Sequence, residues 1–231
     1  MLSTDEIKQL AGEAGANLVN QDMVVGLGSG STVFYFIQAL AKKIKAGLKC
    51  LTVPTSAQSR LLALQQNIPL SELNEVSSID LTIDGADEID SSLNLIKGGG
   101  GYLLQEKMVA AASKHVVIIA DSSKLKPVLG EFPLPVEVIP YGWKQVQRHI
   151  HTLTHTRSAL RMKDNKPYVT EHGHYILDCH FQKIDDPFVL SNSLHMIPGV
   201  VETGLFLNMC EKALIGYPDG TLKTLTKATS F

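Results

Sequence analysis

From Met23 to Asp121 short apolar runs alternate with stretches of helical spacing, and that alternation narrows the fold more than any other feature of the chain. Met23–Leu27, Leu48–Val53, Ile79–Ile83 and His115–Ala120 read as buried strands. Between them Val33, Phe36, Ile37, Leu40 and Ile44 recur at helical spacing, Ser56 to Gln66 forms a second crossover, and Tyr102 to Ser113 is alanine-rich and helical. Upstream, Ser3 to Glu6 spells S-x-x-E, a capping-box start for a helix carrying Ile7, Leu10, Ala11, Ala14 and Leu18. The pattern predicts an α/β fold of parallel βαβ units with helices on both faces. Ligands gather at the carboxyl ends of the strands in such sheets. Four polar or glycine-rich clusters, Gly26–Thr32, Asp84–Asp90, Lys97–Gly101 and Asp121–Lys124, are expected together at that edge.

The character changes at Phe132-Pro133-Leu134-Pro135, where two prolines mark a boundary. A helix from about Trp143 to Thr152 follows, then short strands joined by turns at Lys163-Asp164-Asn165 and Glu171-His172-Gly173, then a helix from Pro187 to Met196. These features describe a smaller α+β unit. The tail reads as a hairpin, Ala213–Gly216 turning through Tyr217-Pro218-Asp219-Gly220 into Leu222–Thr226.

Composition removes several function classes. A net charge of −2, with no lysine- or arginine-dense stretch, gives no surface for tracking nucleic-acid phosphates. No apolar run is long enough to span a membrane, and the acidic amphipathic start lacks the pattern of a signal peptide. Cys50, Cys179 and Cys210 are odd in number and widely separated, which predicts reduced thiols in a cytoplasmic protein.

The chemistry lies in the loops. Gly26-Leu27-Gly28-Ser29-Gly30-Ser31-Thr32 sits between a strand and a helix, where exposed N–H groups and the helix dipole favour an anion. A dinucleotide fingerprint needs glycine where Ser31 stands, and no acidic residue closes the second strand; no Gly-Lys-Ser/Thr follows either. A phosphate cradle for a small ligand remains, beside the plainer reading of a capped tight turn. Asp84-Gly85-Ala86-Asp87 places two carboxylates three residues apart at a strand end; a catalytic pair and a solvated acidic turn both fit. Lys97-Gly98-Gly99-Gly100-Gly101 brings backbone close to something and sets a cation beside it, unless it is a flexible linker. Glu106, early in the next helix, suits either a helix start or a base directed at the glycine loop. Lys124 offers a second cation for a phosphate. The eight histidines, four of them at His149, His151, His155 and His180, show no complete metal-ligand spacing; surface or packing roles are expected and no metal site.

In order and spacing, Gly28-Ser29-Gly30-Ser31-Thr32, Asp84-Gly85-Ala86-Asp87-Glu88-Ile89, Lys97-Gly98-Gly99-Gly100, Glu106-Lys107, Lys124, Phe132–Val138, Ile197–Val201, Gly204-Leu205-Phe206 and Pro218-Asp219-Gly220 resemble the A-type ribose-5-phosphate isomerases. The resemblance covers nearly the whole chain. Ser29 replaces the family's frequent threonine, and Ser122-Ser123 its common Ala-Ser; both keep a hydroxyl. The resemblance implies a Rossmann-like catalytic domain from residues 1–130 plus 208–231, with a smaller α+β, ferredoxin-like domain at 131–207 inserted. It implies isomerisation of ribose 5-phosphate and ribulose 5-phosphate in the pentose phosphate pathway, without metal or organic cofactor, by a homodimer or homotetramer. Its partner is a small sugar phosphate, not nucleic acid or membrane. By resemblance Glu106 is the base, Asp84 and Asp87 hold sugar hydroxyls, and Lys97 stabilises an enediolate. Substrate contacts fall on Ser29, Gly30, Ser31, Thr32, Gly85, Ala86, Gly98, Gly99, Gly100 and Lys124. Three other classes compete: a sugar-phosphate sensor, a nucleotide-dependent oxidoreductase, and an acyl or CoA transferase in which the glutamate attacks as a nucleophile.

Overall fold

The computed structural model describes residues 1–227, so 228–231, the end of the tail assigned to the larger domain, lie outside the described residues. The chain forms two compact units. Unit 1 comprises residues 1–86, 105–124 and the tail from Asn208; unit 2 comprises residues 87–104 and 125–207.

Unit 1 is built on a six-stranded sheet. Its strands are β1 (Met23–Leu27), β2 (Cys50–Pro54), β3 (Ile79–Asp84), β6 (Ser113–Asp121), β14 (Lys212–Gly216) and β15 (Leu222–Thr226). They lie in the order β15-β14-β6-β3-β1-β2, all parallel except the edge strand β15, which closes the expected hairpin on β14. Helix α1 (Thr4–Ala16) begins at the reciprocal Ser3–Glu6 capping box. Helices α2 (Ser31–Lys45) and α3 (Ala57–Gln65) are the crossovers read from spacing. Val33, Phe36, Ile37 and Leu40 of α2 bury against Val25, Leu27, Leu81, Ile83 and Ile119 on one face of the sheet. On the other face Val109 of α4 (Leu103–Ala111) packs with Val53, and Ile79 at the start of β3 joins the same cluster. The order reverses at β1, whose neighbours are β2 on one side and β3 on the other, and such a switch point opens a crevice outside the strand ends.

Unit 2 carries β7 (Leu134–Val138), α5 (Trp143–Thr154), β8 (Ser158–Leu160), β11 (Tyr175–Cys179), α6 (Pro187–His195) and β12 (Val200–Thr203). These follow one another as β-α-β-β-α-β, and the strands align antiparallel as β12-β7-β11-β8, the ferredoxin-like arrangement. Val136, Val138, Val146, Ile150, Leu177 and Leu194 form its core. A two-stranded ribbon, β9 (Met162–Lys163) with β10 (Lys166–Pro167), turns through Asp164 and Asn165, both at positive φ. A second small sheet, β13-β5-β4, joins β4 (Glu88–Ile89), β5 (Leu95–Ile96) and β13 (Leu205–Phe206). Unit 2 therefore takes in residues 87–104 and 125–130 as well as the expected 131–207. Glu88 helps fix them there, accepting from the N–H groups of Gly130 (2.7 Å) and Phe132 (2.6 Å). Among the described residues no helix is long and apolar enough to cross a membrane.

Candidate active site

In unit 1 the parallel pairing sets Leu27 opposite Ile83, so the loops leaving β1 and β3 are neighbours. Gly28 N–H donates to the Ile83 carbonyl at 2.9 Å. Asp84 is 2% exposed, and its Oδ1 accepts from the N–H groups of Ser29 (3.0 Å) and Gly85 (2.7 Å). Buried carboxylates need such donors. A Cβ on Gly28 would stand 2.2 Å from Asp84 Oδ1 and 2.6 Å from Asp84 Cα, so only glycine allows this approach. Gly28→Ala is therefore expected to cost about 1–3 kcal/mol, as overpacking does. Urea denaturation checks it, and wild-type stability in that variant would refute the close approach.

The Ser29 hydroxyl donates to Ser56 Oγ at 2.7 Å and lies 2.8 Å from Thr55 Oγ1. Thr55 and Ser56 are buried at the end of β2, where Ser56 also caps α3. Ser29 thus braces one loop against the next through residues that sequence reading passed over; a Thr-Ser pair closing a strand was the available signal. Gly30 caps α2 at φ 106° and supplies no side-chain bond, and the first intrahelical bond runs from Phe34 N–H to Gly30 at 3.1 Å. The leading N–H groups of α2, with the exposed Ser31 and half-buried Thr32 hydroxyls, suit an anion. Glu106 stands in the first turn of α4, 5% exposed. Gln105 Nε2 ties that turn to the Pro54 carbonyl at the end of β2, at 3.4 Å. After β6, Asp121 Oδ1 accepts from the N–H (3.0 Å) and the hydroxyl of Ser123, in the turn that carries the half-buried Lys124.

Unit 2 holds the rest. Asp87 N–H donates to Ile96 at 2.8 Å, and Lys97 N–H donates to Gly204 at 2.9 Å. Lys97 is 3% exposed, with Nζ 5.4 Å from the ring centroid of Phe206. Asp87 Oδ2 accepts from Gly99 N–H at 2.8 Å, and Gly101 N–H closes a turn on the Gly98 carbonyl at 2.9 Å. The expectation of four clusters at one edge of one sheet needs correction here. Gly26–Thr32, Asp84 and Asp121 do end parallel strands of unit 1. Lys97–Gly101 instead follows β5, a two-residue antiparallel strand in the small sheet of unit 2. Nor do Asp84 and Asp87 hold one loop: the first anchors Ser29 and Gly85, the second Gly99.

Seven of the eight histidines are exposed, and the half-buried His174 bonds to Glu137 at 3.0 Å. Among the described residues no three His, Cys, Asp or Glu side chains gather to hold a metal ion. The cysteines form no disulfide, and burial pushes the Cys179 thiol up to about 12.

Residues 51–220 match the family model for ribose 5-phosphate isomerase A (phosphoriboisomerase A). The chain is 56% identical over 215 residues to ribose-5-phosphate isomerase A of Bacillus cereus (strain ATCC 10987 / NRS 248), covering 93% of this chain and 97% of the relative. It is similar to the structure of ribose 5-phosphate isomerase A from Methanocaldococcus jannaschii, with TM-score 0.92, 40% identity, and coverage of 97% and 100%. A D-ribose-5-phosphate isomerase solved in complex with phospho-erythronic acid gives TM-score 0.93 at 38% identity, again covering 97% and 100%.

Proposed function

Because the chain belongs to the ribose 5-phosphate isomerase A family, it interconverts ribose 5-phosphate and ribulose 5-phosphate, and we propose that Glu106 is the base that carries a proton between C2 and C1. Aldose–ketose exchange removes the C2 proton, leaves an enediolate, and returns a proton to C1. One carboxylate lying over the plane of the enediolate serves both carbons. Lys97 balances the charge that develops on the enediolate oxygen. Asp84 and Asp87 orient the sugar hydroxyls, and one of them assists ring opening.

The observation that carries this assignment is burial: Asp84, Lys97 and Glu106 are 2%, 3% and 5% exposed. Keeping ionisable groups out of water is costly, and packing alone does not ask for it. The phospho-erythronic acid held by the solved relative supports the same reading, since its planar carboxylate on a phosphorylated chain resembles an enediolate.

The phosphate is assigned to the start of α2, to Ser31 and Thr32, and to Lys124. Ser29 contributes by holding that loop in shape. Gly30, Gly85, Ala86, Gly98, Gly99 and Gly100 present backbone to the sugar. The enzyme needs neither metal nor organic cofactor in this reading, and works in the cytoplasm as a homodimer, with a homotetramer the alternative assembly. Purified protein in EDTA is expected to convert ribose 5-phosphate at its full rate, followed by ketose absorbance. A loss that added divalent ions restore would sink the cofactor-free reading.

A further inference from the structure

We infer that Arg161, seated on Asp178 and joined by Tyr168, is a positioning residue for the isomerisation, holding the glycine loop that links Lys97 to Asp87. The inference rests on the roles proposed above for Lys97 and Asp87. Arg161 lies between β8 and β9. Its own N–H donates to Ile176 (2.8 Å) and its carbonyl accepts from Tyr168 N–H (2.9 Å), so its backbone is fixed from both sides. Its guanidinium then faces two ways. Nε and Nη2 grip Asp178 Oδ2 and Oδ1 at 2.9 and 2.5 Å, while Nη1 donates to the Gly98 carbonyl at 2.8 Å and the Gly99 carbonyl at 3.2 Å. Asp178 sits inside the antiparallel sheet, opposite Pro135 on β7 and Ala159 on β8.

Four successive glycines have no side chains to hold their shape, and Gly98 and Gly101 adopt φ of 102° and 87°. Something outside must set them. In a trans peptide the carbonyl and the following N–H point opposite ways. The Gly98 carbonyl faces Arg161, so Gly99 N–H faces away from it, and that N–H is the one Asp87 accepts. A single peptide group is thus held between a guanidinium and a proposed substrate-orienting carboxylate. Tyr168 takes the next carbonyl, its hydroxyl donating to Gly100 at 3.3 Å. Its ring lies so close to Gly101 that a Cβ there would stand 2.3 Å from the hydroxyl. Desolvation raises the Tyr168 pKa, with the neighbouring Tyr102 adding to it, so the phenol stays a donor at neutral pH.

Three carbonyls in a row are therefore spent on Arg161 and Tyr168, and the first of them points opposite to the Gly99 N–H that Asp87 accepts. Bound to those donors, the carbonyls are not free to turn their negative dipole ends toward an enediolate, which they would repel. A lysine cannot reproduce this: bridging two carbonyls while gripping a carboxylate needs the planar fork.

The test compares Arg161→Lys, Tyr168→Phe and Arg161→Ala with wild type, using Lys97→Met as reference. Arg161→Lys is expected to lose about 10- to 100-fold in kcat with KM within about twofold, the signature of a misplaced loop. Tyr168→Phe should follow with a smaller loss in kcat alone. Methylguanidinium should restore part of the activity of Arg161→Ala and none of that of Lys97→Met. Wild-type kcat in Arg161→Lys and Tyr168→Phe, or a change confined to KM, overturns the inference while an impaired Lys97→Met keeps the underlying reading. Wild-type kcat in Lys97→Met removes that reading and the inference with it.

Discussion

Replacing Glu106 with glutamine is expected to lower kcat by about 10³- to 10⁴-fold, the upper end of what a positioned base contributes, while KM changes only a few-fold. Glutamine keeps the shape of the side chain and removes its charge and its capacity to take a proton, so the first turn of α4 should hold its place beside Pro54. The matching readout is solvent exchange: in deuterated water the wild type should label the substrate at C2, and Glu106→Gln should leave it unlabelled. Near-wild-type turnover in that variant would sink the assignment of the base. A covalent adduct trapped on Glu106 would point instead to the competing transferase chemistry, in which the glutamate attacks as a nucleophile.

Most of unit 1 is legible in the sequence because local rules and tertiary packing agree there. The Ser3–Glu6 capping box, the β-branched runs that become β1, β3 and β6, and the apolar stripe of α2 each say the same thing as the sheet they build. The Tyr217–Gly220 turn likewise closes the expected hairpin. Reading the clusters as one edge goes wrong at Lys97 for a definite reason. Only Leu95-Ile96 precedes it as a strand, and two residues do not distinguish a parallel strand from one limb of a small antiparallel sheet. Asp84 and Asp87 are three residues apart, and the chain passes from unit 1 to unit 2 between them, a change that no periodicity announces. The braces are harder still. Arg161 and Gly98 are 63 positions apart, and Ser29 and Ser56 are 27 apart. Contacts of that span leave a trace only as a need: a run of glycines that must be held, or a serine loop that must be tied, by something unnamed.

Lys97 is where burial and chemistry meet most directly, and Lys97→Met is expected to lower kcat by about 10²- to 10³-fold, the scale of one preorganised oxyanion partner. Methionine keeps most of the volume while removing the ammonium over the Phe206 ring, and the backbone bond from residue 97 to Gly204 does not depend on the side chain. The variant is therefore expected to keep the backbone fold, which circular dichroism checks, while losing a cation that is only 3% exposed. An electrostatic partner of the enediolate acts on the transition state more than on the ground-state sugar, so KM should move little. Affinity for phospho-erythronic acid, whose carboxylate presents a comparable planar anion, should instead fall in step with kcat. Parallel losses would identify Lys97 as the charge that the intermediate leans on. A loss of kcat with inhibitor affinity intact would mean that the ammonium moves a proton instead, shifting the pH profile. Unchanged kcat would leave this buried cation a structural role alone and return the enediolate charge to the backbone N–H groups of the glycine loop.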